Sequence, residues 1–248
     1  MQIHGRYFIV IDDIWSTSAW RTIRCAFPDN SCSSSILTTT RIIAVAKYCC
    51  SPHHDHVYEL KPLGATQSKS LFFKRIFGSE DMCPLHLKEV SNKILKKCSG
   101  LPLAIITIAS LLATKARTKE EWEKIWKSIG SVLEKDTDME EMRKILSLSY
   151  NDLPYHLKTC LLHLSLFPED YEIKRDQLVR RWIAEGFITI EGGHDMEEIG
   201  ECYFNDLINR SMIQPVGIQY DGRADACRVH DMILDLIISK SVEENFVT

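Results

Sequence analysis

A chain of 248 residues with 45% hydrophobic content can bury a sizeable core and hold two or three small domains, which excludes a disordered polymer. A net charge of −4 disfavours a DNA-binding surface, and the longest apolar run, Leu101–Ala113, is shorter than the roughly 20 residues that span a bilayer. Nine cysteines, an odd number in no repeating frame, and no basic segment leading into an apolar signal region fit reduced thiols in the cytoplasm rather than a disulfide scaffold.

The first element is the most informative. Tyr7 to Ile11 is a run of five large apolar residues that leads directly into Asp12 and Asp13. Such a run suits a strand covered on both faces in a parallel sheet, and ligands of these sheets lie beyond the carboxyl ends of the strands. There a carboxylate can hold Mg²⁺ and a neighbouring acid can orient an attacking water, as in a Walker B strand. The bland alternative is a strand ending in two solvated acids. No G-x-x-x-x-G-K-[ST] phosphate loop occurs in the 248 residues. A sheet that begins at this strand is expected to have an unpaired edge and an uncovered apolar face.

Ser34 to Arg41 is rich in β-branched residues and reads as a second strand ending in an arginine. In a parallel neighbour, Arg41 would stand beside the acids, where a guanidinium can fork onto a terminal phosphate or simply be solvated. Cys49, Cys50, His53, His54, Asp55 and His56 are zinc-ligand types without C-x₂-C spacing, and Pro52 marks a surface loop.

Leu60–Gly64 reads as a hinge, after which the period changes from strand to helix. Thr66 to Gly130 reads as a small bundle. Leu71, Phe72, Arg75 and Ile76 open one helix, and Leu87, Val90, Ile94, Leu95 and Cys98 line the next. Ser99-Gly100 stops it, and Pro102 suits the first position of a further helix. Trp122 and Trp126, four apart, anchor the last bundle helix. The acidic stretch Glu134–Glu141 is a linker or a helix start.

From Ile145 the order is helix, helix, helix, hairpin, helix, that of a winged helix. Its core faces are Leu157, Leu161, Leu162 and Leu164; then Leu178, Val179, Trp182 and Ile183; then Ile199, Tyr203, Leu207 and Ile208. Pro215, Gly217 and Gly222 punctuate the hairpin. DNA binding is disfavoured, because four acids face one base between Met196 and Arg210, while Lys174, Arg175, Arg180 and Arg181 read as a solvated helix face.

Seven segments in order carry a resemblance: YFIVIDDIW (7–15), SILTTTR (35–41), YELKPL (58–63), CSGLPLA (98–104), CLLHLSLFPEDY (160–171), LVRRWIAEGF (178–187) and VHDMIL (229–234). Together the chain resembles the NB-ARC region of plant NLR disease-resistance proteins, and Trp15 is similar to the branch with an N-terminal coiled coil. The resemblance implies an α/β remnant of a P-loop NTPase sheet, followed by a mainly α-helical bundle and a winged-helix domain. The boundaries expected are 1–60 for the C-terminal part of the nucleotide-binding domain, 61–135 for the first ARC subdomain and 136–248 for the second. A chain truncated before its P-loop and lacking leucine-rich repeats is expected.

The resemblance also implies residue roles in an ADP/ATP switch with Mg²⁺. Asp12 holds the metal, Asp13 orients water as the catalytic group, and Arg41 senses the γ-phosphate. Pro102 and Leu103 of the GLPL segment touch adenine, and His230 of the MHD motif reads the β-phosphate, with Val229 replacing methionine. Asp231 supports the first turn of the helix that follows. Partners implied are other NLR domains or chains, with homo-oligomerisation on activation. Two functional readings stay open: a nucleotide switch with its grip on phosphate weakened, not expected to hydrolyse ATP alone, and a non-enzymatic module docking to other immune-receptor chains.

Overall fold

The computed structural model describes residues 6–27, 34–50, 56–130, 138–189 and 195–246. They fall into two units divided between Lys61 and Pro62.

The first unit is built from strand β1 (Phe8–Ile11), helix α1 (Thr17–Cys25), strand β2 (Ser35–Thr38) and helix α2 (Ile43–Cys49). The strands pair in parallel, Phe8 opposite Ser35 and Ile11 opposite Thr38. A parallel pair needs a crossover, and α1 supplies it. Ser16 starts that helix, its Oγ accepting the Ala19 N–H at 3.1 Å. One face of the sheet, carrying Ile11 and Ile36, packs on a small core of Ile14, Trp20 and Val45. The expectation of a strand covered on both faces is corrected among the described residues. Side chains alternate across a strand, so Phe8, Val10 and Leu37 project from the other face and are 68%, 56% and 51% exposed. Among the described residues the two-stranded sheet thus leaves one apolar face uncovered.

The second expected strand is also shorter than its sequence suggested. It ends at Thr38, and Arg41 lies in the turn before α2. Thr39 and Thr40 leave the ladder because they bond the segment after β1: Thr39 O accepts the Ile14 N–H at 2.9 Å, and Thr40 Oγ1 donates to Ile14 O at 2.6 Å. Cys49 closes α2, whereas Pro52, His53, His54 and Asp55 lie outside the described residues.

The second unit begins with four helices, α3 (Ala65–Phe77), α4 (Leu85–Lys97), α5 (Pro102–Ala113) and α6 (Lys119–Ser128). Helix α5 is apolar nearly all round and runs through the centre, with Ala104, Ile105, Ile108, Ala109, Leu111 and Leu112 buried. Phe72 of α3 meets Trp122 of α6 edge to face, centroids 6.2 Å apart. Trp126 is half-buried, with Lys97 Nζ 5.2 Å above its ring. Thr118 Oγ1 caps α6 by accepting from Glu121 N–H at 3.4 Å.

Helix α7 (Asp138–Asn151) follows, so the described part of the acidic stretch is a helix start, and residues 134–137 lie outside the description. Then come α8 (Tyr155–Leu162) with a 3₁₀ turn (His163–Leu166), β3 (Ile173–Lys174), α9 (Arg175–Ala184), α10 (Met196–Asn209), β4 (Gln214–Ile218), β5 (Ala224–Arg228) and α11 (Asp231–Glu243). The strands form an antiparallel sheet of order β3-β5-β4. Leu157, Leu161, Leu178, Trp182 and Leu207 are fully buried as expected, and Phe204, absent from the sequence reading, is the largest side chain α10 buries. Helix α10 comes close to α9 at Gly200, where a Cβ would lie 2.5 Å from Val179 Cγ1. Pro215 and Gly217 fall inside β4 rather than in the hairpin turn. An edge strand tolerates Pro215 because its missing N–H can face solvent. Bundle and winged helix share one continuous core, from Phe72 to Ile237, and together make the second unit.

Candidate functional site

In the first unit the carboxyl ends of the two strands meet as expected for a ligand-facing sheet edge. Thr39 N–H donates to Ile11 O at 3.1 Å, the last bond between the strand ends. Asp13 then takes φ of +55°, a left-handed turn that L-residues rarely adopt and that Asp tolerates better than most. The turn aims the Asp13 N–H at Thr39 Oγ1, 2.9 Å away, while the same hydroxyl donates to Asp12 Oδ1 in a short hydrogen bond. Thr39 thus ties both acids to β2.

Around Asp13 lies a second layer. Trp15 Nε1 donates to Asp13 Oδ2 at 2.9 Å, and Arg41 Nε stands 3.9 Å from Asp13 Oδ1. The Arg41 guanidinium also sits 5.2 Å from the centre of the Trp15 ring. Asp12, Asp13 and Arg41 are therefore grouped, and sequence reasoning missed the roles of Thr39 and Trp15. The three consecutive threonines 38–40 and the tryptophan two residues past the acids were the available signal. Arg41 and Asp13 side chains are 47% and 29% exposed, so the ion pair between them contributes little by itself.

The Asp12 carboxylate and Thr39 hydroxyl are hard oxygen groups, and Mg²⁺ commonly keeps several waters while taking only one or two carboxylates. That set suits a water-rich Mg²⁺. Among the described residues no group of three or more His, Cys, Asp or Glu side chains could hold a metal by itself.

In the second unit, Pro102 occupies the first position of α5, exposed, with Leu103 half-buried behind it. Both are set by a turn in which Ser99 and Gly100 have φ of +49° and +73°. Gly100 is required there: a Cβ would stand 2.4 Å from the Leu63 carbonyl oxygen. Leu63 N–H donates to Gly100 O at 2.9 Å, binding the hinge to the turn. Ser99 Oγ donates to Glu141 Oε2 at 3.1 Å, which secures the turn to α7.

His230 is the residue that caps α11. Its Nδ1 accepts the Met232 N–H at 3.2 Å, and the Asp231 carboxylate lies in ion-pair range of the same nitrogen. The first interaction needs a bare nitrogen and the second a protonated one, so the position of the proton decides which forms. His230 thus caps the first turn, and Asp231 stands inside that turn, where its negative charge suits the helix N-terminus. Pro102 and Leu103 stand at the start of α5 and His230 at the start of α11, on separate elements of this unit.

The buried thiols take no part in such chemistry. Burial pushes Cys98, Cys160 and Cys227 up to about 12, so they remain protonated near neutral pH. Every described cysteine is a free thiol.

Comparison with known proteins agrees with this architecture. Residues 1–82 match the NB-ARC domain, and residues 166–237 match the winged-helix domain of disease-resistance proteins. The chain is 41% identical over 242 residues to disease resistance protein RGA5 of Oryza sativa subsp. japonica, covering 97% of this chain and 22% of that protein. It is 39% identical over 251 residues to disease resistance protein Pik-2 of the same plant, covering 98% of this chain and 24% of that one. It is 40% identical over 243 residues to the putative late blight resistance protein homolog R1B-12 of Solanum demissum, covering 98% and 17%. The chain thus spans between 17% and 24% of the length of these relatives. With NB-ARC and winged-helix regions in family order, the chain belongs to the plant NLR disease-resistance proteins.

Proposed function

We propose that the chain works as an ADP/ATP-responsive conformational switch in plant immune signalling. The observation that carries this reading is the clustering of Asp12, Asp13, Thr39 and Arg41 at the carboxyl ends of two parallel strands. Asp12, with Thr39, would hold Mg²⁺, which would supply charge neutralisation for bound phosphates. Asp13 would orient water, Arg41 would exchange its Asp13 contact for the γ-phosphate, Pro102 and Leu103 would meet adenine, and His230 would read the β-phosphate. On this reading residues 1–60, 61–135 and 136–248 act as nucleotide-binding, first ARC and second ARC parts. A nucleotide shifts such an equilibrium only through differential affinity, and with no phosphate loop in these residues a weak switch and no hydrolysis by this chain alone are expected. A cytoplasmic setting with other NLR chains as partners fits; no described helix is long and apolar enough to cross a membrane.

Calorimetry with ADP or ATP and Mg²⁺ tests the proposal. Micromolar binding, on the order of −8 kcal/mol, that is lost in Arg41→Ala and His230→Ala supports it. Absence of binding favours the second reading, a non-enzymatic docking module. The exposed apolar face of Phe8, Val10 and Leu37 favours that alternative.

A further inference from the structure

A polar clasp outside the motifs above joins the bundle to the winged helix. Arg75, on α3, sends Nε to Ser110 Oγ of α5 at 3.0 Å. Its Nη2 reaches the turn that ends α10, donating to Asn209 O at 2.8 Å and to Ser211 Oγ at 3.3 Å. The Ser110 and Ser211 hydroxyls are themselves 2.8 Å apart. One guanidinium fork therefore binds elements that are 134 to 136 residues away in sequence.

Three further observations support a specific device. Ser211 has φ of +58°, so the backbone is held in a conformation that a serine seldom adopts, and its hydroxyl faces Arg75 and Ser110. A second bridge stands beside the first: Asp152, just past α7, pairs with Lys115, just past α5, and with Arg210 at 3.7 Å. Finally, Arg75 is exposed while Ser110 is buried. Water can compete for the guanidinium at the rim, whereas core burial of Met212 and Ile213 immediately follows the turn.

We propose that Arg75, Ser110 and Ser211 form a releasable clasp that fixes the winged helix on the bundle, with Asp152 as its second pin. The guanidinium reaches the turn from the exposed rim of the core that bundle and winged helix share, so Arg75 can let go of the turn while that core stays packed. An arginine suits it because the fork serves several acceptors in one plane and stays charged at all physiological pH values. The clasp is independent of nucleotide, and neither outcome below depends on whether ADP binds.

The test is amide exchange on the full chain. The probes are the amides of Arg210, Ser211 and Met212, which bond Asp206 O, Ile208 O and Leu207 O. Controls are Ile105 and Ile129, which report on the bundle itself. Arg75→Ala should speed exchange at the probes by about tenfold, the scale of losing a charged hydrogen bond, and leave the controls unchanged. Ser211→Gly, which keeps the left-handed backbone and removes the hydroxyl, should act in the same direction. A Ser110→Cys, Ser211→Cys pair, oxidised in the Arg75→Ala background, should restore protection. If the probes in Arg75→Ala and Ser211→Gly accelerate no more than the controls, the clasp is overturned.

Discussion

Replacing Gly100 by alanine should destabilise the second unit by more than an ordinary left-handed glycine substitution. The residue has φ of +73°, and the new Cβ would stand 2.4 Å from Leu63 O and 3.0 Å from Pro62 Cβ. Left-handed backbone costs a residue with a Cβ about 1–2 kcal/mol. Moving Leu63 away also breaks its N–H bond to Gly100 O, 2.9 Å long, for a further net loss of about 1 kcal/mol. The sum is about 2–3 kcal/mol. Gly78 supplies the control, since its φ is +85° with nothing within 4 Å of the built Cβ. Gly78→Ala therefore carries the backbone cost alone. With a urea slope of about 2 kcal/mol/M, Gly100→Ala should lower the unfolding midpoint by about 1.2 M and Gly78→Ala by about 0.7 M. The Leu63 amide should also exchange faster in Gly100→Ala. Equal midpoints for the two variants, with Leu63 protection intact, would refute the claim that the hinge closes on this turn.

Three other outcomes are expected. Phe204 is fully buried in the core shared by bundle and winged helix, so Phe204→Ala should cost about 3–5 kcal/mol in equilibrium unfolding, and a loss below 1 kcal/mol would contradict that placement. His163 is buried between Phe167 and Phe187, and burial lowers its pKa from the ordinary 6.5. The unfolded chain then binds the proton more readily, so this contribution to stability is complete above about pH 6.5 and falls as pH drops from there to the folded value. His163→Phe should narrow the difference between urea midpoints at about pH 5 and 7.5, and an unchanged difference would rule out this group as a source of the acid sensitivity. In the two-stranded sheet, the Ser35 and Thr39 amides bond Tyr7 O and Ile11 O at 3.0 and 3.1 Å. With so small a core beneath them they should exchange at least about a hundredfold faster than Ile105 of α5, and equal protection would show the sheet to be independently stable.

Much of the architecture was legible because apolar spacing is a local property. Leu87, Val90 and Ile94 repeat at helical spacing and are buried, Pro102 opens α5, and the winged-helix order is present. Local signals misled where a neighbour changed their meaning. Thr39 and Thr40 look like strand residues, but their hydroxyls bond across to the segment after β1 and end the ladder. Pro215 and Gly217 look like turn residues, but an edge strand accommodates them.

By itself the sequence determined the order of elements, the family and the residue types at the strand ends, since each depends on identity and spacing along the chain. Tertiary structure alone decided that Thr39 ties Asp12 to Asp13, that Trp15 and Arg41 crowd Asp13, and that Gly100 closes on Leu63. It likewise decided that Arg75 holds a turn 134 residues away. Hydrogen bonds act over about 3 Å and need aligned partners. No pattern along the chain specifies which distant groups folding will bring within that reach.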